Sequence, residues 1–114
     1  MKSRTKLFAI RIVAVVQSLP RNREGDVMGK QLLRSGTAVA ANYRAVCRSR
    51  SQAEFISKMN IVVEEADETV FWLELLMETG IVPAQKLTLL IKEANELLAI
   101  CAASLRTAKR NKGA

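Results

Sequence analysis

The densest group of side chains able to do chemistry is Glu64, Glu65, Asp67 and Glu68, with Glu74 and Glu78 further along. On a helix, carboxylates at i, i+3 and i+4 share a face and could bind a divalent cation. One helix alone seldom supplies enough ligands for such a site, and Glu64 and Glu68 repel each other unless a cation lies close. The competing use of these carboxylates is to face arginines on a neighbouring helix. Suitable cations recur along residues 30–50: Lys30, Arg34, Arg44, Arg48 and Arg50. As one helix they extend over about 30 Å at about 1.5 Å per residue, with Arg34, Arg44 and Arg48 near one azimuth and Tyr43 beside them. A stripe of this kind can follow a phosphate backbone. No base-reading motif accompanies it, so binding would follow shape rather than sequence. Two uses stay open. One is a nucleic-acid surface made of Lys30, Arg34, Arg44, Arg48 and Arg50. The other is a set of interhelical ion pairs among Arg44, Arg48, Glu64, Glu65 and Glu68.

Other chemistry is poorly supplied. The chain has no histidine, so it can form neither the Glu-x-x-His pairs of a di-iron bundle nor a Ser-His or Cys-His dyad. Cys47 and Cys101 are the only thiols. Their spacing fits neither a disulfide framework nor a zinc site, and both read as small buried hydrophobes in a reducing cytosol. There is no glycine-rich phosphate loop. The expectation is a protein that is not an enzyme and uses no cofactor or metal.

Charge is distributed unevenly. Residues 1–50 hold 11 Lys/Arg against 2 Asp/Glu, whereas residues 51–114 hold 7 against 9. A basic half suits an acidic partner such as RNA or a nucleoprotein, or the acidic helix of the same chain. Lys2, Arg4 and Lys6 precede an apolar stretch, Leu7 to Val16, that superficially looks like a secretory leader. Arg11 interrupts it and no small-residue cleavage site follows. It is also too short to span a bilayer. A cytoplasmic protein with no membrane partner is expected.

The elements that would position these residues are helices. Of the 114 residues 49% are hydrophobic but only 4% aromatic, with five Gly and two Pro, which leaves little turn material for an all-β fold. Pro20 ends a first helix over about residues 3–18. Asp26 is the expected N-cap of a second, to about residue 50. Ser51-Gln52-Ala53-Glu54 has the form of a capping box and opens a third over 52–79. Gly80 suits the left-handed position past its end, and Pro83 the first turn of a fourth over 83–109, with a frayed tail beyond. Apolar stripes at helical spacing run through Phe55, Met59, Val62, Ala66, Val70, Leu73 and Met77, and through Leu87, Leu90, Ala94, Leu97, Cys101 and Leu105. Short links between long helices predict one all-α domain over 1–114, an up-and-down antiparallel four-helix bundle. The small-residue run Ser35-Gly36-Thr37-Ala38-Val39-Ala40-Ala41 should be its tightest crossing.

Two helices carry more apolar surface than one bundle can bury. Helix 3 adds Ile56, Ile61, Val63, Phe71, Trp72 and Leu75 to its core stripe, and helix 1 is apolar nearly all round. A second apolar face is expected to be covered by another copy of the chain. Candidate interface residues are Ile10, Val13, Ile61, Phe71, Trp72 and Leu75.

The string Leu32-Leu33-Arg34-Ser35-Gly36-Thr37-Ala38-Val39-Ala40-Ala41-Asn42-Tyr43-Arg44-Ala45 resembles the signature of the 23S rRNA intervening-sequence protein (S23) family. So does Arg48-Ser49-Arg50-Ser51-Gln52-Ala53-Glu54-Phe55-Ile56-Ser57-Lys58-Met59. The continuation Glu64-Glu65-Ala66-Asp67-Glu68-Thr69, then Trp72-Leu73-Glu74-Leu75-Leu76, is similar to one common branch. The resemblance covers roughly residues 5–108. It implies a left-handed up-and-down antiparallel bundle that assembles as a ring-shaped homopentamer. The family name reflects open reading frames inside intervening sequences of bacterial ribosomal RNA genes, a genomic location rather than an activity. A similar fold serves as a basic, nucleic-acid-associated subunit of certain reverse transcriptases. The early aromatic and Trp that often open family members are absent here. Together these readings point to a non-enzymatic homo-oligomer that binds RNA or a nucleoprotein through helix 2, or, alternatively, to a protein-only interaction scaffold.

Overall fold

A computed structural model describes residues 1–113 and contains four α-helices: α1 Lys2–Ser18, α2 Arg23–Val46, α3 Gln52–Glu78 and α4 Ala84–Gly113. Consecutive helices pack on each other, and α1 also touches α4. This is the expected up-and-down antiparallel bundle, about 50 Å long. α1 and α3 sit on a diagonal and do not pack together.

The caps explain the boundaries and correct two of them. α2 begins three residues before the position expected from Asp26. Asn22 is extended (φ −139°, ψ 177°) and its side chain accepts the Gly25 N–H at 2.8 Å, so Asn22 is the cap. Asp26 instead lies in the first turn, where its charge complements the helix dipole. α2 also stops at Val46 rather than near Arg50. Arg48 and Ser49 bond back to Ala45 and Val46 in tight turns, because Ser51 must be extended to cap α3 (φ −153°, ψ 163°). Ser51 Oγ accepts the Glu54 N–H at 3.1 Å. The reciprocal half of the capping box is replaced, since the Glu54 carboxylate accepts from Lys58 Nζ at 2.8 Å. Gly80 takes the left-handed conformation, φ 74°, which a side chain would oppose. At the far end α4 continues through Arg110 and Lys112 to Gly113. Cations in a last turn suit the dipole, and the frayed tail anticipated from Arg110 onward is helical up to that point.

Two groups of buried side chains form the core. One draws on all four helices and includes Phe8, Ile12, Leu32, Leu73, Leu76, Leu87 and Leu97. The other includes Val39, Val46, Met59, Val62, Ala66, Cys101 and Leu105, from α2, α3 and α4 only. The α4 stripe from Leu87 to Leu105 is buried throughout. On α3, Leu76 takes the place expected of Met77, which is half-buried, as is Phe55. Cys47 departs from its expected burial: it lies just past the end of α2 and is exposed, while Cys101 is buried.

The small-residue run divides its labour. Gly36 marks the close approach of α1 to α2, for a Cβ there would lie 2.7 Å from Ile12 Cγ2. Ser35 meets α3, with its Oγ 3.0 Å from Thr69 Oγ1 in the buried core, and Thr69 also donates to the Glu65 carbonyl at 2.7 Å. Each of these polar atoms is satisfied where a lone hydroxyl would be costly to bury. Ala40 and Ala41 do not extend the tight crossing and line an open cleft instead.

Candidate nucleic-acid interface

The antiparallel register decides which cations meet which carboxylates. Ser35 lies opposite Thr69, so Arg34 lies opposite Glu65 and Glu68. Its Nη1 reaches Glu65 Oε2 at 3.0 Å and its Nη2 reaches Glu68 Oε1 at 2.5 Å. The hydrogen bond from Arg34 holds the Glu68 carboxyl below its ordinary value, with Trp72 Nε1 at 3.4 Å contributing less. Interhelical pairing across α2 and α3 thus exists, but its partner is Arg34. Arg44 lies about 15 Å further along α2, and Arg48 in the link beyond its end. Among the described residues neither has a carboxylate within 4 Å. Glu64 accepts from Asn60 at 3.1 Å on the outer surface of α3. The carboxylate cluster is therefore divided between different partners. No group of three potential ligands converges on a metal position among the described residues.

Of the basic residues singled out on α2, Arg34 is engaged. Lys30, Arg44, Arg48 and Arg50 are exposed without ion-pair partners among the described residues. Arg44 shares an open cleft of about 480 Å³ with Lys2, Lys6, Thr37, Ala40 and Ala41. Arg50 lines a second opening with Tyr43, Cys47 and Phe55 at the α2–α3 link. The stripe expected on one continuous helix is thus bent at its end, because Arg48 and Arg50 sit in the link rather than on α2.

Two groups escaped the sequence reading. Arg4 forms a bidentate pair with Glu93, Nε to Oε2 at 2.8 Å and Nη2 to Oε1 at 2.7 Å, and reaches Glu96 Oε2 at 2.8 Å. This pair joins α1 to α4 and holds the Glu93 carboxyl below its ordinary value. Lys2 and Lys6 turn the other way, toward α2. Their i, i+4 spacing, with Arg4 between them, was the available signal that these three cations serve two faces.

The candidate oligomer surface is laid out in two places. On α1, Ile10 is 57% exposed and Val13 half-buried. Leu7, Ile10 and Ala14 make an exposed outward stripe at spacings of three and four. On α3, Phe71 is 53% exposed and Ile61 40%, with Trp72 and Leu75 half-buried. Phe71 and Trp72 meet edge to face with ring centroids 4.9 Å apart.

The fold defines a class: an up-and-down antiparallel bundle of four helices. The family described as 23S rRNA-intervening sequence protein matches residues 1–103, and the chain belongs to it. A crystal structure of a protein of unknown function from the S23 ribosomal protein family of Bacteroides thetaiotaomicron is 36% identical in sequence. It superposes with a TM-score of 0.85 over 91% of this chain and 96% of that one. Neither description names an enzymatic activity. No curated protein matches the chain. No helix among the described residues is long and apolar enough to cross a membrane.

Proposed function

We propose that this protein is a non-enzymatic, cytoplasmic homo-oligomer that binds RNA or a nucleoprotein through the basic flank of α2. The observation that carries the reading is the contrast along one helix. Arg34 is neutralised by Glu65 and Glu68, whereas Lys30, Arg44 and, in the following link, Arg48 and Arg50 are left exposed and unpaired among the described residues. Exposed cations with no partner in their own chain are the electrostatic footprint of a polyanion. The test is fluorescence anisotropy with a labelled structured RNA, titrated across salt. Log-linear loss of affinity with salt, abolished by Arg44→Glu with Arg48→Glu at unchanged helicity, is the expected result. No binding at low salt refutes the reading.

Self-association is part of the same proposal. The apolar residues Ile10 and Phe71 lie on α1 and α3, which do not pack together. Two different patches on one protomer favour head-to-tail pairing, which closes a ring when the rotation allows it. A ring of five, as the family resemblance implies, would have about five times the protomer mass of 12.6 kDa by light scattering, and a monomer at micromolar concentration would refute it. The exposed apolar surface also favours a second reading, a scaffold for protein partners alone. Protein that purifies free of nucleic acid and binds none would select it.

A further inference from the structure

We infer that the cleft between the start of α1 and the second half of α2 is a phosphate-binding site, held by Lys2, Lys6 and Arg44. These three cations come from two helices and surround one opening of about 480 Å³, whose other lining residues are Thr37, Ala40 and Ala41. No acidic side chain lines it. Elsewhere the same two helices neutralise cations that face into the bundle's seams: Arg4 against Glu93 and Glu96, Arg34 against Glu65 and Glu68. Lys2, Lys6 and Arg44 have no such partner among the described residues.

The arrangement is electrostatically unfavourable when empty. Lys2 and Lys6 are like charges one turn apart on α1, and Arg44 brings a third positive charge from α2. The first turn of α1 holds no acidic residue and no side-chain cap, so the positive end of its dipole adds to the same field. An anion in the cleft relieves all of these at once.

The donors select a phosphate group. Arg44 offers a planar fork for two oxygens, and each lysine adds a point charge. Together they match an anion with several oxygens better than a single carboxylate. Ala40 and Ala41 carry only methyl groups, which lets a compact anion approach α2 closely. Thr37 Oγ1 already donates to the Leu33 carbonyl at 2.7 Å, so the cations do the holding. No aromatic ring lines the cleft, and no surface is offered for a base. The group can come from an RNA backbone, which rests on the nucleic-acid reading above, or from a free phosphate compound, which does not.

The experiment is a ¹H–¹⁵N titration of the full chain with inorganic phosphate at constant ionic strength, beside an anisotropy titration with RNA. Saturable shifts confined to residues 2, 6, 37, 40, 41 and 44, and lost in Lys2→Ala with Lys6→Ala, establish the site. Should that double variant lose its spectral dispersion, Arg44→Gln serves instead. For the RNA arm, the double variant should lower the slope of log affinity against log salt by about two. Phosphate binding without RNA binding keeps the site, assigns it to free phosphate and sinks the nucleic-acid reading. A reduced RNA slope without free-phosphate shifts keeps the site and assigns it to the backbone. Phosphate shifts spread evenly over Arg48, Arg50 and the other surface cations overturn the site, as does no response in either arm. RNA binding with an unchanged slope and no phosphate response overturns the site while leaving the α2 reading intact.

Discussion

Around Leu32, Leu73 and Leu87, four helices close on large side chains. Around Val39, Val62 and Cys101, three helices close on small ones. The charges divide differently. Arg4 and Arg34 are held by carboxylates on α4 and α3. Arg44, Arg48 and Arg50 face solvent, although Lys2 and Lys6 bring Arg44 to the level of Arg4. One set of side chains serves packing and internal pairing, and another leaves cations available. Stability and binding thereby rest on different residues, so changes in one set should leave the other's property largely alone.

That separation can be broken most forcefully in the core. Leu73→Ala should cost about 2–5 kcal/mol in urea unfolding, followed by the fluorescence of the single tryptophan, Trp72. Leu105→Ala, 7% exposed and in the three-helix region, should fall at the low end of that range. Equal losses would erase the distinction between the two regions. Next in size is Gly36→Val, whose added Cβ would meet Ile12. Overpacking of this kind costs about 1–3 kcal/mol, whereas Ala41→Val, at an exposed position on the same helix, should be nearly silent.

Acid should act through the paired charges. Glu68 and Glu93 are held below the ordinary value of 4.5 by hydrogen bonds from Arg34 and Arg4. The unfolded chain therefore binds protons more readily than the folded one. The stabilisation is complete above that ordinary value and is lost as pH falls through the lower folded values. The urea midpoint should hold from neutrality to about pH 5 and then fall, and Arg4→Ala with Arg34→Ala should flatten the fall. The smallest effect is on stability at neutral pH. Arg34→Ala breaks a solvent-exposed pair and should lower the thermal midpoint slightly, while Arg44→Ala should leave it in place or raise it slightly by relieving the repulsion from Lys2 and Lys6. A larger loss from Arg44→Ala would make it a structural residue.

The bundle itself was legible. Stripes at helical spacing, Ser51 before Glu54, and Gly80 before Pro83 set three of the four helices in place. The start of α2 was misplaced because Asn22 and Asp26 are both good caps, and only the extended backbone at Asn22 chooses between them. Its end was misplaced because Cys47 to Arg50 have no helix breaker, and the need to extend Ser51 is imposed from α3. The acidic and basic helices were correctly set facing each other, but the pairing required their register. A sequence gives spacing within a helix, and Ser35 opposite Thr69 is a relation between two. The same ignorance hid the cleft, since Lys2 and Lys6 become neighbours of Arg44 only once α1 has a register on α2.

The packing order also bears on how the chain acquires its structure. Contacts between consecutive helices close short loops, a topology associated with rapid folding. The contact of α1 with α4 is different: its anchor, Arg4 to Glu93, spans 89 residues of chain, and closing it costs more conformational entropy, though by a term that grows slowly with length. This contact should form last and open first. In native-state hydrogen exchange, the amides of α1 should therefore exchange through a partial opening that leaves α2 to α4 protected, making the first helix a separable unit of the fold.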